Sequence, residues 1–282
     1  DPSAVIGEPG ATALAEVAAE FGLALGTFPD SVAAGLAVAP AEEEGGADAS
    51  EELRSPALED YALLLYSSGS TGTPKGIMYD HRWLMGGSWF LSEDLELGPS
   101  SRCLLRCSYV WSVSLYDLFP ATMRGGTLFI PPPGGHKNVQ YMSETIEREC
   151  IHAVVIQPTL LNLLLDEHKG APAQYPLRSL RHVVSSGEKL FTSTAETFMA
   201  TPGLHAKLWN MYGATEAGCT YFACQKGEEH RLREYQEGVP AGVPQSYVDV
   251  FIMQSVDDAD DPLAPVETGA VGEICFGGGG PA

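Results

Sequence analysis

The segment Tyr66-Ser67-Ser68-Gly69-Ser70-Thr71-Gly72-Thr73-Pro74-Lys75-Gly76 lies between two apolar runs, Ala62 to Tyr66 and Ile77 to Met78. Its glycines let backbone N–H groups come close to an anion, its Ser and Thr side chains add hydroxyl donors, and Lys75 adds a positive charge. That chemistry suits a polyphosphate. A Walker A loop is built differently, with Gly, Lys and Ser or Thr contiguous at the start of a helix. Here Pro74 intervenes between Gly72 and Lys75, and Gly76 follows the lysine. A flexible Ser/Gly linker would leave both the apolar flanks and the Lys beside Pro unexplained.

Toward the N-terminus, Ala4-Val5-Ile6 and the helically spaced Leu14, Val17, Ala18 and Phe21 predict a strand and then a helix over Ala11 to Leu23. Residues 40 to 60 gather Glu42, Glu43, Glu44, Asp48, Glu51, Glu52, Glu59 and Asp60 among Ala, Gly and Pro, which predicts a solvated linker. Ala62 to Tyr66 reads as a buried strand, Ile77 to Met78 as a short one, and His81 to Leu91 as a helix. Further strands are predicted at Arg102 to Arg106, Thr127 to Ile130, Ala153 to Ile156, His182 to Ser185 and Lys207 to Asn210, with helices between several of them. This alternation predicts an α/β fold, a mostly parallel sheet flanked by helices. Val248 to Met253 and Gly272 to Phe276 predict a smaller β-rich portion, and the acidic cluster Asp257, Asp258, Asp260, Asp261 a hairpin tip. The expected division is a leading α/β segment and linker over 1–60, a nucleotide- and substrate-binding core over 61–245, and the β-rich portion over 246–282.

The 282 residues are 44% hydrophobic, enough for one large core or two coupled ones. A formal charge of −21 argues against nucleic acid as a partner, because phosphate neutralisation needs clustered Lys and Arg. No run approaches the ~20 consecutive apolar residues of a membrane span, and the first residues lack a signal-peptide profile, so no membrane partner and a cytoplasmic location are expected. The six cysteines contain no C-x-x-C pair, which predicts reduced thiols. With Asp1 at one end and Gly277 to Gly280 near the other, the chain reads as a piece of something longer.

The Tyr61 to Gly76 segment resembles the signature loop of the adenylate-forming superfamily, whose members include acyl-CoA synthetases, luciferases and nonribosomal peptide adenylation domains. Later segments resemble that family in order. Asn210-Met211-Tyr212-Gly213-Ala214-Thr215-Glu216 is similar to its Y-G-x-T-E motif, and Ser185-Ser186-Gly187-Glu188 to its Gly-Glu turn. Gln157-Pro158-Thr159, Gly238 to Pro244 and Gly272 to Gly278 are similar to further motifs, so the resemblance covers about Tyr61 to Ala282. It implies ATP and Mg²⁺ as cofactors. Ser68, Gly69, Ser70, Thr71, Gly72 and Lys75 would close over the β- and γ-phosphates, and His81 matches a histidine that commonly follows the loop. Tyr212 would stack on adenine and Asn210 read its amino edge, with Met211, Gly213, Gly187 and Glu188 beside them. Thr215 would reach the α-phosphate and Glu216 hold the metal.

The implied reaction has two steps. A carboxylate attacks the α-phosphorus of ATP to give acyl-AMP and pyrophosphate, and a thiol then captures the acyl group. The wording of the motifs favours a carrier protein with a phosphopantetheine arm as acceptor over CoA, with a non-catalytic scaffold as a third reading. Positioning and charge neutralisation would carry the catalysis, chiefly through Lys75, Thr215 and Glu216. The acid pocket implied position by position is Trp111, Ser112, Val113, Tyr116, Val155, Val184, Ser186, Met211, Cys219 and Thr220, with Val155 and Val184 equally expected as core strand residues. In amino-acid-activating members an Asp stands where this chain has Ser112. A serine cannot neutralise a buried ammonium, which points to an acid without an α-amine. The family's T-G-D aspartate and its C-terminal catalytic lysine have no counterpart in these residues, so weak nucleotide binding and slow turnover are expected of the chain by itself.

Overall fold

The computed structural model describes residues 4–7, 24–27, 56–67, 74–168, 176–246, 248–254 and 264–278. The chain divides into two units, residues 1–54 and residues 55–282. In the first, β1 (Ala4–Gly7) and β2 (Ala24–Thr27) pair in parallel. The strand at Ala4 was expected and β2 was not. The helix predicted over Ala11 to Leu23 and most of the acidic linker lie outside the described residues.

The second unit opens with an antiparallel hairpin, β3 (Tyr61–Ser67) and β4 (Lys75–Asp80), whose connecting residues 68–73 lie outside the described ones. The expectation of a buried strand here needs correction. Leu65 is buried and Leu63 partly so, whereas Leu64 and Tyr66 are 50% and 65% exposed. The hairpin stands apart from the large sheet, so one of its faces meets a core of Ile77, Tyr79, Trp83 and Leu115 while alternate residues face outward.

Next come α1 (His81–Asp94), β5 (Arg102–Leu104), α2 (Leu115–Met123), β6 (Thr127–Phe129), α3 (Val139–Arg148), β7 (Ala153–Ile156), α4 (Pro158–Glu167), β8 (His182–Ser186), α5 (Thr192–Ala200), β9 (Lys207–Gly213), β10 (Cys219–Cys224) and β11 (Val243–Pro244). The sheet order is β11-β10-β9-β8-β7-β5-β6, parallel from β9 through β6 and antiparallel at β10 and β11. The parallel strands agree with the predicted ones to within about three residues at their ends, but β10 and β11 went unpredicted. β12 (Val248–Met253) and β13 (Glu273–Gly278) pair antiparallel as the expected β-rich portion. The acidic cluster around Asp258 lies outside the described residues.

Strand periodicity explains why the sheet is covered twice. Val154, Ile156, Val183 and Leu208 point into one core with Met142, Ile146, Leu164 and Phe198 from α3, α4 and α5. Their neighbours Ala153, Val155, Val184 and Trp209 point into the other, with Leu91 of α1 and Ala121 of α2. Among the described residues no helix is long and apolar enough to cross a membrane, and all six cysteines are unpaired.

One buried carboxylate positions α2. Asp117, 4% exposed, accepts hydrogen bonds from the backbone N–H of Arg106 and Cys107 at 3.0 and 2.8 Å, and buried Arg106 donates Nε to the Val155 carbonyl at 2.8 Å. The helix is thereby tied to the ends of β5 and β7. Burial pushes the Asp117 carboxyl up to about 6, against the opposing pull of the two N–H donors and the Arg106 guanidinium. Because the folded value lies above the unfolded one, the folded state holds the proton more tightly. Its contribution to stability is therefore present below pH ~4 and lost as pH rises through ~6. Urea unfolding should show wild type losing up to about 3 kcal/mol relative to Asp117→Asn between pH ~4 and ~7; a constant difference across that window would contradict this.

Candidate functional site

Parallel sheets place ligands beyond the carboxyl ends of their strands, where adjacent loops diverge. The ends of β8 and β9 supply Ser186-Gly187-Glu188 and Asn210 to Gly213, and the residues after β9 form a turn through Thr215 and Glu216. The β3–β4 hairpin closes on that turn. Ser67 Oγ donates to Glu216 Oε1 at 2.9 Å, and Tyr79 Oη donates to the Thr215 carbonyl at 2.6 Å. Lys75 lies opposite Ser67 in the hairpin register and is exposed. The base of the glycine-rich segment and the Thr215-Glu216 pair are thus brought together across 149 residues of chain. Ser68, Gly69, Ser70, Thr71 and Gly72 lie outside the described residues.

The cleft has two chambers. The first, of about 170 Å³, is lined by Trp111, Ser112, Val113, Tyr116, Ser186 and Cys219, together with Trp83, Thr215 and the backbone of Gly187 and Gly213. The second, of about 430 Å³, is lined by Glu188, Asn210, Met211 and Tyr212 and shares Gly187 and Gly213 with the first. Tyr212 is 48% exposed, its ring available as a platform. Buried Asn210 donates Nδ2 to the carbonyls of Val239 and Pro240 at 3.0 and 2.9 Å, which orients the amide and leaves Oδ1 as its acceptor. Glu188 is held by the backbone N–H and hydroxyl of Thr159 at 3.2 and 2.5 Å.

Four residues assigned to the acid pocket do not line the first chamber; one of them, Met211, lines the second instead. Val155 and Val184 are buried beneath Tyr116, beside a void of about 10 Å³. The contact of Tyr116 Oη with Cys219 Sγ at 2.7 Å lies between that void and the first chamber. Thr220 follows Cys219 on β10, so strand alternation turns it to the opposite face, where its buried hydroxyl has no hydrogen-bond partner.

The lining is electrically neutral. Burial pushes the Cys219 thiol up to about 11, partly offset by Tyr116, so it stays protonated. Burial and then the Glu216 carboxylate push the Tyr79 phenol upward, which keeps it a donor to Thr215. Ser112 Oγ and Thr215 Oγ1 are 3.0 Å apart and share a proton-donating contact.

Ser67, Tyr79 and Trp83 escaped the sequence reading. A signal for Trp83 was present: Asp80 is a preferred N-cap residue, and its Oδ1 accepts the Trp83 N–H at 2.7 Å, fixing where the helix begins.

A family model described as AMP-binding enzyme matches residues 10–282. The chain is 30% identical over 224 residues to tyrocidine synthase 3 of Brevibacillus parabrevis, spanning 79% of this chain and 3% of that protein. It is 33% identical over 256 residues to the L-proline–[L-prolyl-carrier protein] ligase of Streptomyces coelicolor, spanning 89% of this chain and 46% of that protein. The chain therefore spans less than half the length of these two relatives. Among solved structures, the N-terminal subdomain of Klebsiella oxytoca NpsA in complex with 3-hydroxybenzoyl-AMSN superposes with a TM-score of 0.63 at 22% identity, covering 80% of this chain and 54% of that one.

Gly187 is the tightest point of the shared wall. Its φ is +88°, and a Cβ there would collide with the Trp111 ring. Gly187→Ala should lower stability by about 1–3 kcal/mol and displace Trp111. A melt and the tryptophan emission check it; an unchanged spectrum and melting point would show that the wall has slack.

Proposed function

Since the chain belongs to the AMP-binding enzyme family, we propose that it joins a carboxylic acid to ATP and passes the acyl group to the phosphopantetheine thiol of a carrier protein. A carboxylate oxygen attacks the α-phosphorus, the bond to the bridging oxygen of the β-phosphate breaks, and pyrophosphate leaves. The thiol sulfur then attacks the acyl carbonyl and AMP leaves. The observation that carries this reading is the closure of the hairpin on Thr215-Glu216, which gathers a lysine, a hydroxyl and a carboxylate around one end of the cleft.

The second chamber takes the nucleotide, with adenine on the Tyr212 ring and its amino group donating to Asn210 Oδ1. The first takes the acid. Gly187 and Gly213, walls of both, let the acid carboxylate approach the α-phosphorus, with the Thr215 hydroxyl directed at a phosphate oxygen. Lys75 and residues 68–72 serve the β- and γ-phosphates. Mg²⁺ fits Glu216, an exposed carboxylate. Among the described residues no three His, Cys, Asp or Glu gather to hold a metal, so Glu216 would hold it together with substrate phosphates and water. Bound there, it neutralises phosphate charge. Because the described residues put no carboxylate in the lining of the first chamber, where Ser112 contacts Thr215, the acid lacks an α-amine.

A relative that is itself a carrier-protein ligase favours a carrier protein over CoA as acceptor. ATP–pyrophosphate exchange by the intact protein, across amino, keto, hydroxy, aryl and fatty acids, tests the first step. Exchange with keto, hydroxy or aryl acids is expected, and exchange with Phe or Leu but not their deaminated analogues would overturn the Ser112 reading. Lys75→Ala and Glu216→Ala, both at exposed positions, should lower kcat/KM by roughly 100-fold or more, Lys75→Ala without changing the melting point. CoA-dependent AMP release, without loading of a carrier protein, would reassign the acceptor.

A further inference from the structure

The first chamber ends on a side chain that is held at both its root and its tip. Tyr116 of α2 lines that chamber and also the void of about 10 Å³ beneath it, and no other described residue is common to the two linings. Its neighbour Asp117 accepts the backbone N–H groups of Arg106 and Cys107, which fixes this turn of the helix against the end of β5. At the other end, Tyr116 Oη meets Cys219 Sγ at 2.7 Å. Val155 and Val184, which would otherwise deepen the chamber, line the void with Leu95, Leu97 and Ala121.

Volume decides what fits. The first chamber measures about 170 Å³, and an apolar cavity of about 150 Å³ takes one benzene molecule. The void has room for at most about one water, so it admits no methylene chain while the tyrosine ring stays. Forcing extra methylenes against a packed wall drives side chains off their rotamers and is itself unfavourable. Most of the void's lining is apolar, so removing the ring would open a surface suited to hydrocarbon.

Resting on the reading that this chamber takes the acid, we infer that Tyr116 is a specificity-determining floor: it limits the body of the acid beyond its carboxylate to about one six-membered ring and turns longer acids away.

ATP–pyrophosphate exchange by the intact protein tests this with two homologous series: benzoate, phenylacetate, 3-phenylpropanoate and 4-phenylbutanoate, and 2-oxobutanoate, 2-oxohexanoate, 2-oxooctanoate and 2-oxodecanoate. In wild type, kcat/KM in at least one series should peak at one of the two shortest acids and fall by about tenfold or more at the longest, because a single methylene can carry that much discrimination. In Tyr116→Ala the void and the space of the ring join the chamber. The longest acid of that series should then come within about threefold of the shortest or overtake it, through a rise in its own kcat/KM. Comparing acids on one preparation removes any unfolded share of the protein from the ratio. Wild type exchanging the longest acids as well as the shortest, or a size limit unchanged in Tyr116→Ala, overturns the inference and leaves the adenylation reading standing. Exchange with no acid at all overturns both. Should Tyr116→Ala fail to fold, Tyr116→Leu, shorter but still apolar, is read by the same ratios.

Discussion

Two hydrogen bonds between distant parts of the chain make this a site. Ser67 reaches Glu216 and Tyr79 reaches the Thr215 carbonyl, so the hairpin carrying the glycine-rich segment sits on the turn that follows β9. Without them the lysine, the hydroxyl and the carboxylate would be three surface groups. With them, Ser67, Thr215 and Glu216 meet at one end of the cleft, with Lys75 paired to Ser67 in the hairpin.

The rest of the architecture frames that cleft. Both faces of the parallel sheet are covered by helices, which leaves the carboxyl ends of the strands as the place where loops can part. Asp117 and Arg106 use buried charge to tie α2 to the ends of β5 and β7, and α2 carries Tyr116 into the first chamber. Gly187 in a left-handed conformation lets Trp111 press against the wall common to both chambers.

Much of the fold could be read from residue types. Ala153 to Ile156 appeared as a strand because four apolar, mostly β-branched residues lie between polar ones, and it is buried along its whole length. Cys219 to Cys224 forms a strand that its Thr, Tyr and Phe favour, directly after the turn through Thr215 and Glu216. Leu63, Leu64 and Leu65, being consecutive, read as a buried strand; only pairing shows that the hairpin strand has one inner face and one outer.

Residue order alone was enough for the α/β class, the helix-flanked parallel sheet and the identity of most groups that line the cleft, since these follow from periodicity, turn chemistry and motif wording, which are local. Which of those groups meet was settled by packing in three dimensions. Folding placed Val155, Val184, Met211 and Thr220 outside the first chamber, drew in Trp83, Tyr79 and Ser67, and set Asn210 with its acceptor free. Such outcomes depend on strand register, on which face a side chain takes, and on contacts between residues more than a hundred positions apart, and no local pattern encodes these.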